Sequence, residues 1–182
     1  HPEIELLCTL DEETGLTGAM GLSTDLLKAD VLINLDSEED GAFTIGCAGG
    51  LNTNAHYKYE ADDATDDLVY YELFIKGFKG GHSGIEIHDE RGNAAKFMNR
   101  LLWTLTHKYN VRLSSFNSGN KHNAIPREAF AVVGVSKPAV NDFEKYLNEF
   151  HKQTVAEYGT KEPNLQIGFE KSEFTLSQAT VD

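Results

Sequence analysis

The sequence lacks any apolar run near the ~18 residues that a membrane-spanning helix needs, and its longest apolar stretches are short. It has no basic segment leading into an apolar one, so no secretory leader is legible. Cationic charge is scarce: 16 Lys and Arg stand against 29 Asp and Glu, a formal net charge of -13. That balance excludes a basic face of the kind that grips nucleic acid, and it disfavours docking on anionic lipid. Cysteine is nearly absent. Cys8 and Cys47 show no CxxC spacing, and their surroundings predict two buried free thiols in a reducing compartment. The chain also opens on His1-Pro2-Glu3 without methionine, and the natural protein is expected to extend further at this end.

What is present divides into two textures. Residues 4–10 and 31–35 are short apolar runs that read as buried parallel strands, with a helix over 18–27 between them. Such a unit is α/β material, and its strands need neighbours to form a core. Gly46-Cys47-Ala48-Gly49-Gly50 reads as a hinge, which divides the chain into segments 1–49 and 50–182. The second segment predicts strands at 54–59, 68–76, 111–116, 129–135 and 165–169. Apolar residues at helical spacing predict helices over 94–109 and 142–158, with Asn93 as N-cap of the first and Gly159 ending the second. This order predicts an α+β domain, close to the ferredoxin-like arrangement, with both helices on one face of an antiparallel sheet. The acidic cluster at 62–67 reads as a solvated turn.

Four places could carry chemistry. Asp11-Glu12-Glu13 follows the first apolar run, and Asp36-Ser37-Glu38-Glu39 follows the second. Two adjacent parallel strands that both end in carboxylates would gather like charges, which a divalent cation relieves. Acidic helix starts are the plainer alternative. Gly80-Gly81-His82-Ser83-Gly84 holds a histidine in a glycine-rich loop, as either a functional group or an exposed turn. Asn123-Ala124-Ile125-Pro126-Arg127 offers an amide and a guanidinium, suited to orienting a carboxylate or to an ordinary strand-edge ion pair.

Five motifs in order give these residues a family. They are Leu10-Asp11-Glu12-Glu13-Thr14-Gly15-Leu16-Thr17-Gly18, Ile33-Asn34-Leu35-Asp36-Ser37-Glu38-Glu39, Gly46-Cys47-Ala48-Gly49-Gly50, Lys79-Gly80-Gly81-His82-Ser83-Gly84-Ile85-Glu86-Ile87-His88 and Asn123-Ala124-Ile125-Pro126-Arg127-Glu128. Together they resemble the co-catalytic two-zinc metallopeptidases, and within them the aminoacyl-histidine (Xaa-His) dipeptidases. The resemblance implies a slice of catalytic domain followed by a lid domain. It implies a cytoplasmic enzyme that hydrolyses dipeptides with broad specificity, holds two zinc ions (cobalt or manganese in their place) and pairs as a homodimer through the lid.

The resemblance also implies roles. Glu12 matches the general base, Glu13 a ligand of one zinc and Asp36 a ligand of the other. His82 matches the lid histidine that stabilises the oxyanion in a partner's active site, and Asn123 and Arg127 match substrate contacts. The family also needs an earlier HxD segment, a bridging aspartate and a late histidine. This sequence has no HxD segment, and His151 falls in a predicted helix. The chain is therefore expected to be an internal piece of the enzyme, without tight zinc binding or activity alone. Two other readings stand beside this one: a self-association module, and a ferredoxin-like ligand-binding domain without peptidase activity.

Overall fold

The computed structural model describes residues 3–12, 15–35, 40–46, 49, 51, 53–61 and 67–172. The chain separates into two units, His1–Lys58 and Tyr59–Asp182.

In the first unit the only regular element among the described residues is a single turn of helix, α1 (Thr17–Met20). The strands expected at 4–10 and 31–35 do not form, and the helix expected over 18–27 shrinks to that turn. The physical reason lies in the apolar residues themselves. Ile4, Leu6, Val31, Ile33 and Leu35 are all more than 70% exposed. A parallel strand is held by ladder bonds on both sides and by cover on both faces, and no described residue supplies either. Local polar contacts shape this unit instead. Glu5 Oε2 accepts from the amides of Lys28 and Ala29, each at 2.9 Å. Cys8 is free and exposed, not buried as its sequence surroundings suggested; Cys47 and residues 62–66 lie outside the described residues.

The second unit is the expected antiparallel sheet with two helices. Strand β1 (Leu68–Lys76) lies at the centre, between β5 (Ala129–Ser136) and β6 (Gln166–Lys171), and β3 (Arg112–Ser118) flanks β5. The order β3-β5-β1-β6 is antiparallel throughout, with Leu73 opposite Ala131 on one side and Phe169 on the other. Alternation sorts the side chains. Tyr71, Leu73 and Ile75 of β1 and Ala129, Ala131, Val133 and Val135 of β5 are buried on one face. Helices α2 (Ala94–Tyr109) and α3 (Val140–Tyr158) cover that same face. Phe97, Met98, Leu101, Leu102 and Leu105 of α2 meet Phe143, Leu147 and Phe150 of α3 in one core cluster. Each such side chain contributes about 1.5–3 kcal/mol by leaving water.

The ends of the helices follow from sequence. Asn93 caps α2, its side chain accepting from the Lys96 amide at 3.1 Å. Gly159 follows α3, and its amide donates to Val155 O at 2.8 Å. The strand expected at 54–59 does not form; those residues carry no regular structure and are exposed. The structure adds one feature that the alternation did not reveal, a two-stranded sheet of β2 (Gly81–His82) and β4 (Ala124–Ile125).

Candidate functional site

Strands β2 and β4 are two residues each, too short to be legible as strands, yet they join two of the motifs singled out above. His82 pairs with Ala124 and Gly81 with Ile125. The Ser83 amide donates to Asn123 O at 2.8 Å. His82, Asn123 and Arg127 are thus brought together around the β2–β4 pair, although 41 to 45 positions separate His82 from the other two in sequence.

Glycine makes the approach possible. Gly80 has φ +68°, and a Cβ there would sit 2.4 Å from Cγ of Arg127. Gly81 has φ +147°, and its Cβ would meet Arg91 and Glu86 side-chain atoms, each at 2.6 Å. Both backbone conformation and close contact therefore demand glycine. The Arg127 stem lies across Gly80, and its Nε donates to Phe78 O at 3.1 Å.

The ring of His82 is exposed, but its orientation is determined. Nδ1 accepts from the amides of Gly84 at 3.1 Å and Ile85 at 3.2 Å. A ring nitrogen that accepts carries no proton, so the neutral ring holds its proton on Nε2 and presents a single N–H donor away from the loop. Glu86 closes the turn: its Oε2 accepts from the His82 amide at 2.7 Å, and its own amide donates to His82 O at 3.0 Å. The His82 amide, aided by the Arg91 guanidinium, holds the Glu86 carboxyl below the ordinary carboxylate range. Arg91 bonds Glu86 Oε1, reaches Asp89 Oδ2 at 3.0 Å and donates from Nη1 to Gly80 O at 2.8 Å.

Beside this loop a cleft of about 460 Å³ is lined by residues 117–120, 124–128 and 130, Arg127 among them. Ser118 Oγ donates to Glu128 O at 2.6 Å and ties its two walls.

The other candidates belong to the first unit. Glu12 is exposed; Glu13 and Asp36 lie outside the described residues. Asp11, which had no chemical role in the sequence reading, has a structural one. It adopts φ 60°, and its Oδ2 accepts from the Thr17 hydroxyl at 2.5 Å. Among the described residues no three His, Cys, Asp or Glu side chains converge as a metal site would require.

Sequence reasoning missed Glu86, Arg91 and Glu162. Glu86 sits inside a quoted motif, four residues beyond His82, a spacing that suits a turn-closing carboxylate. Arg91 carried no pattern. Glu162 is far along the chain, yet it is only 1% exposed and bonds both ends of the histidine loop.

The family model for the peptidase dimerisation domain, M20_dimer, matches residues 75–162. That segment holds both helices and the histidine loop. Over 167 residues, 92% of its length, the chain is 40% identical to the cytosol non-specific dipeptidase of Escherichia coli (strain K12). Over 92% of the chain its structure is similar to that of aminoacylhistidine dipeptidase from Vibrio alginolyticus, with a TM-score of 0.72 and 33% identity. The resemblance carried by the five motifs is thus shown along nearly the whole chain. The chain spans 34% of the length of each of these two relatives.

Proposed function

We propose that this chain is part of a metal-dependent dipeptidase, with residues 1–49 contributing to the catalytic domain and residues 50–182 forming the lid. The observation that carries the reading is the His82 ring. It is oriented by two backbone amides so that one N–H donor, on Nε2, faces outward. A preorganised donor of this kind suits the oxyanion that forms when water attacks a peptide carbonyl. The sequence similarity to a cytosol non-specific dipeptidase supports dipeptides, of the Xaa-His type among others, as the substrate class, and a cytoplasmic location. Among the described residues no helix is long and apolar enough to cross a membrane.

Glu12 takes the role of general base, accepting a proton from the attacking water and passing it to the leaving amine. Asn123 and Arg127 contact the substrate beside His82, where an amide and a guanidinium can hold a carboxylate. Glu13 and Asp36 are the carboxylates assigned to two zinc ions, with cobalt or manganese as substitutes. When bound, such ions polarise the scissile carbonyl and make water a nucleophile near neutral pH. The chain alone supplies too few of these ligands, and we expect it to bind zinc weakly and to be inactive. Two sub-micromolar zinc sites in a calorimetric titration of the chain, or its turnover of carnosine, would contradict this.

The test of the main reading uses the full-length enzyme. His82→Ala should lower kcat by about 10²- to 10³-fold, as loss of one oxyanion donor does, with little change in KM. A variant that keeps its kcat would remove His82 from the chemistry.

A second reading, compatible with the first, is that the lid pairs with a second copy of itself. The dimerisation-domain match supports it, as does the sheet edge at β3, which among the described residues has no further strand beside it and where Leu113 and Phe116 are 50% and 45% exposed. Unpaired edges are ready sites for association. Light scattering at micromolar concentration should give the mass of two chains. A monomer would remove this reading, together with the idea that His82 serves the partner's active site.

A further inference from the structure

Glu162 is buried, titratable and outside the roles given above. It lies just beyond α3, where its amide donates to Tyr158 O at 2.8 Å and continues the last turn. Its side chain points into the second unit beneath the histidine loop. Oε2 accepts from the Lys79 amide at 2.8 Å, and Oε1 accepts from the Gly92 amide at 2.7 Å. These two amides mark the entry and exit of the loop that carries His82, Glu86 and Arg91. One carboxyl group therefore closes the base of that loop.

The rest of the geometry depends on the same anchor. Phe78, the residue before Lys79, accepts from Arg127 Nε. Arg91, the residue before Gly92, binds Gly80 O, Glu86 and Asp89. Neighbouring Lys161 forms an ion pair with Glu90 of the loop. Burying an acidic side chain is costly unless its oxygens are satisfied. A core needing only volume at this point would be better served by Leu or Met. The position instead holds a group with two acceptors, directed at two backbone amides that no strand or helix among the described residues otherwise satisfies.

We propose that Glu162 is the positioning residue for His82: by bonding both ends of loop 79–92 it sets the turn in which Gly84 and Ile85 hold the imidazole with its proton on Nε2. The inference rests on the oxyanion reading of His82 for its function, but its geometry can be tested without any turnover.

The test uses the whole 182-residue chain, labelled with ¹⁵N, and reads the His82 ring nitrogens and the Gly84 and Ile85 amides by NMR. In the wild type, His82 should show one tautomer, unprotonated at Nδ1. Glu162→Gln keeps the volume but replaces one acceptor with an amide NH₂. It should convert His82 to a tautomer mixture and speed amide exchange at Gly84 and Ile85 about tenfold, the effect of losing one net hydrogen bond. Signals from α2 and α3 should stay in place. Glu162→Asp, which retains both acceptors, should restore part of the wild-type signature.

Leu147→Ala, a core truncation in α3, is the control for general loss of stability. It should lower the melting temperature and leave the His82 tautomer alone. A folded Glu162→Gln chain with wild-type His82 signals would overturn the proposal, as would an equal change in Leu147→Ala. If Glu162→Gln does not fold, Glu162→Asp is compared with Leu147→Ala in the same way: a shift of the His82 tautomer in the aspartate variant alone supports the proposal, and its absence overturns it. An unaltered kcat in full-length His82→Ala would leave this result standing and remove only the catalytic reading.

Discussion

The two units of this chain contain similar kinds of residue and reach different ends. In the first, Leu6 and Leu35 are both 87% exposed, and Ile45 is fully exposed. In the second, residues of the same size, such as Leu73, Ile75 and Leu105, are 0% exposed. The difference comes from topology. The second unit is antiparallel, with each strand finding its partner within the unit, and its two amphipathic helices close over one face. Runs that read as parallel strands cannot do this alone, because each must be paired and covered by other elements. Hydrophobicity supplies the drive to bury, and only the surrounding architecture supplies the place.

Cutting the chain tests this difference between the units most directly. Residues 59–182 alone should keep the helical circular dichroism and the cooperative melting transition of the whole chain. Residues 1–58 alone should show no cooperative transition. A sharp melt from the short piece would mean that its apolar runs find a core of their own. Point substitutions give the same contrast at smaller scale. Leu101→Ala, in the second unit's core, should cost about 2–5 kcal/mol in denaturant unfolding. Leu35→Ser should change the same transition by no more than about 0.5 kcal/mol. Equal costs would erase the distinction between the units.

These expectations also show what was legible in the sequence. The alternation over 68–76 is legible as a strand, and β1 forms over those same residues. The helical spacing from Phe97 to Leu105 marks α2 in the same way. Both signals are local and were strong enough to survive packing. The runs at 4–10 and 31–35 were equally apolar, but a parallel strand is a statement about absent neighbours as much as about its own residues. The site was legible only in part. His82, Asn123 and Arg127 lie in motifs, and the glycines around His82 mark a backbone that must turn sharply. Glu162 gave no such signal. A glutamate near a helix end is ordinary, and its distinction is the pair of amides it meets, which only the folded chain brings to it.

Smaller effects sharpen the picture within the second unit. Asn93→Ala removes the side-chain acceptor for the Lys96 amide and should cost about 1 kcal/mol, the usual worth of an N-cap. Asn93→Asp should cost far less, since it still offers an oxygen in the same place. A full loss in both variants would mean that Asn93 matters for the adjoining loop and not as a cap.

The smallest effect expected is a pH dependence confined to the histidine loop. The His82 amide and Arg91 hold Glu86 below the ordinary carboxylate range, so the folded loop binds a proton at that group less readily than the unfolded chain does. Its contribution is therefore fully present above the unfolded carboxylate pKa and is lost as pH falls through the lowered folded value. Because Glu86 and Arg91 are partly open to water, the effect should be modest and should weaken with added salt. The His82 and Gly84 amide resonances, followed in an acid titration, should move together in that window. Glu86→Gln should abolish the dependence while leaving α2 and α3 unchanged. A loop that keeps its signals down to the acid unfolding of the whole unit would show that Glu86 contributes no separate titration, and that the anchor at Glu162 suffices to hold the turn.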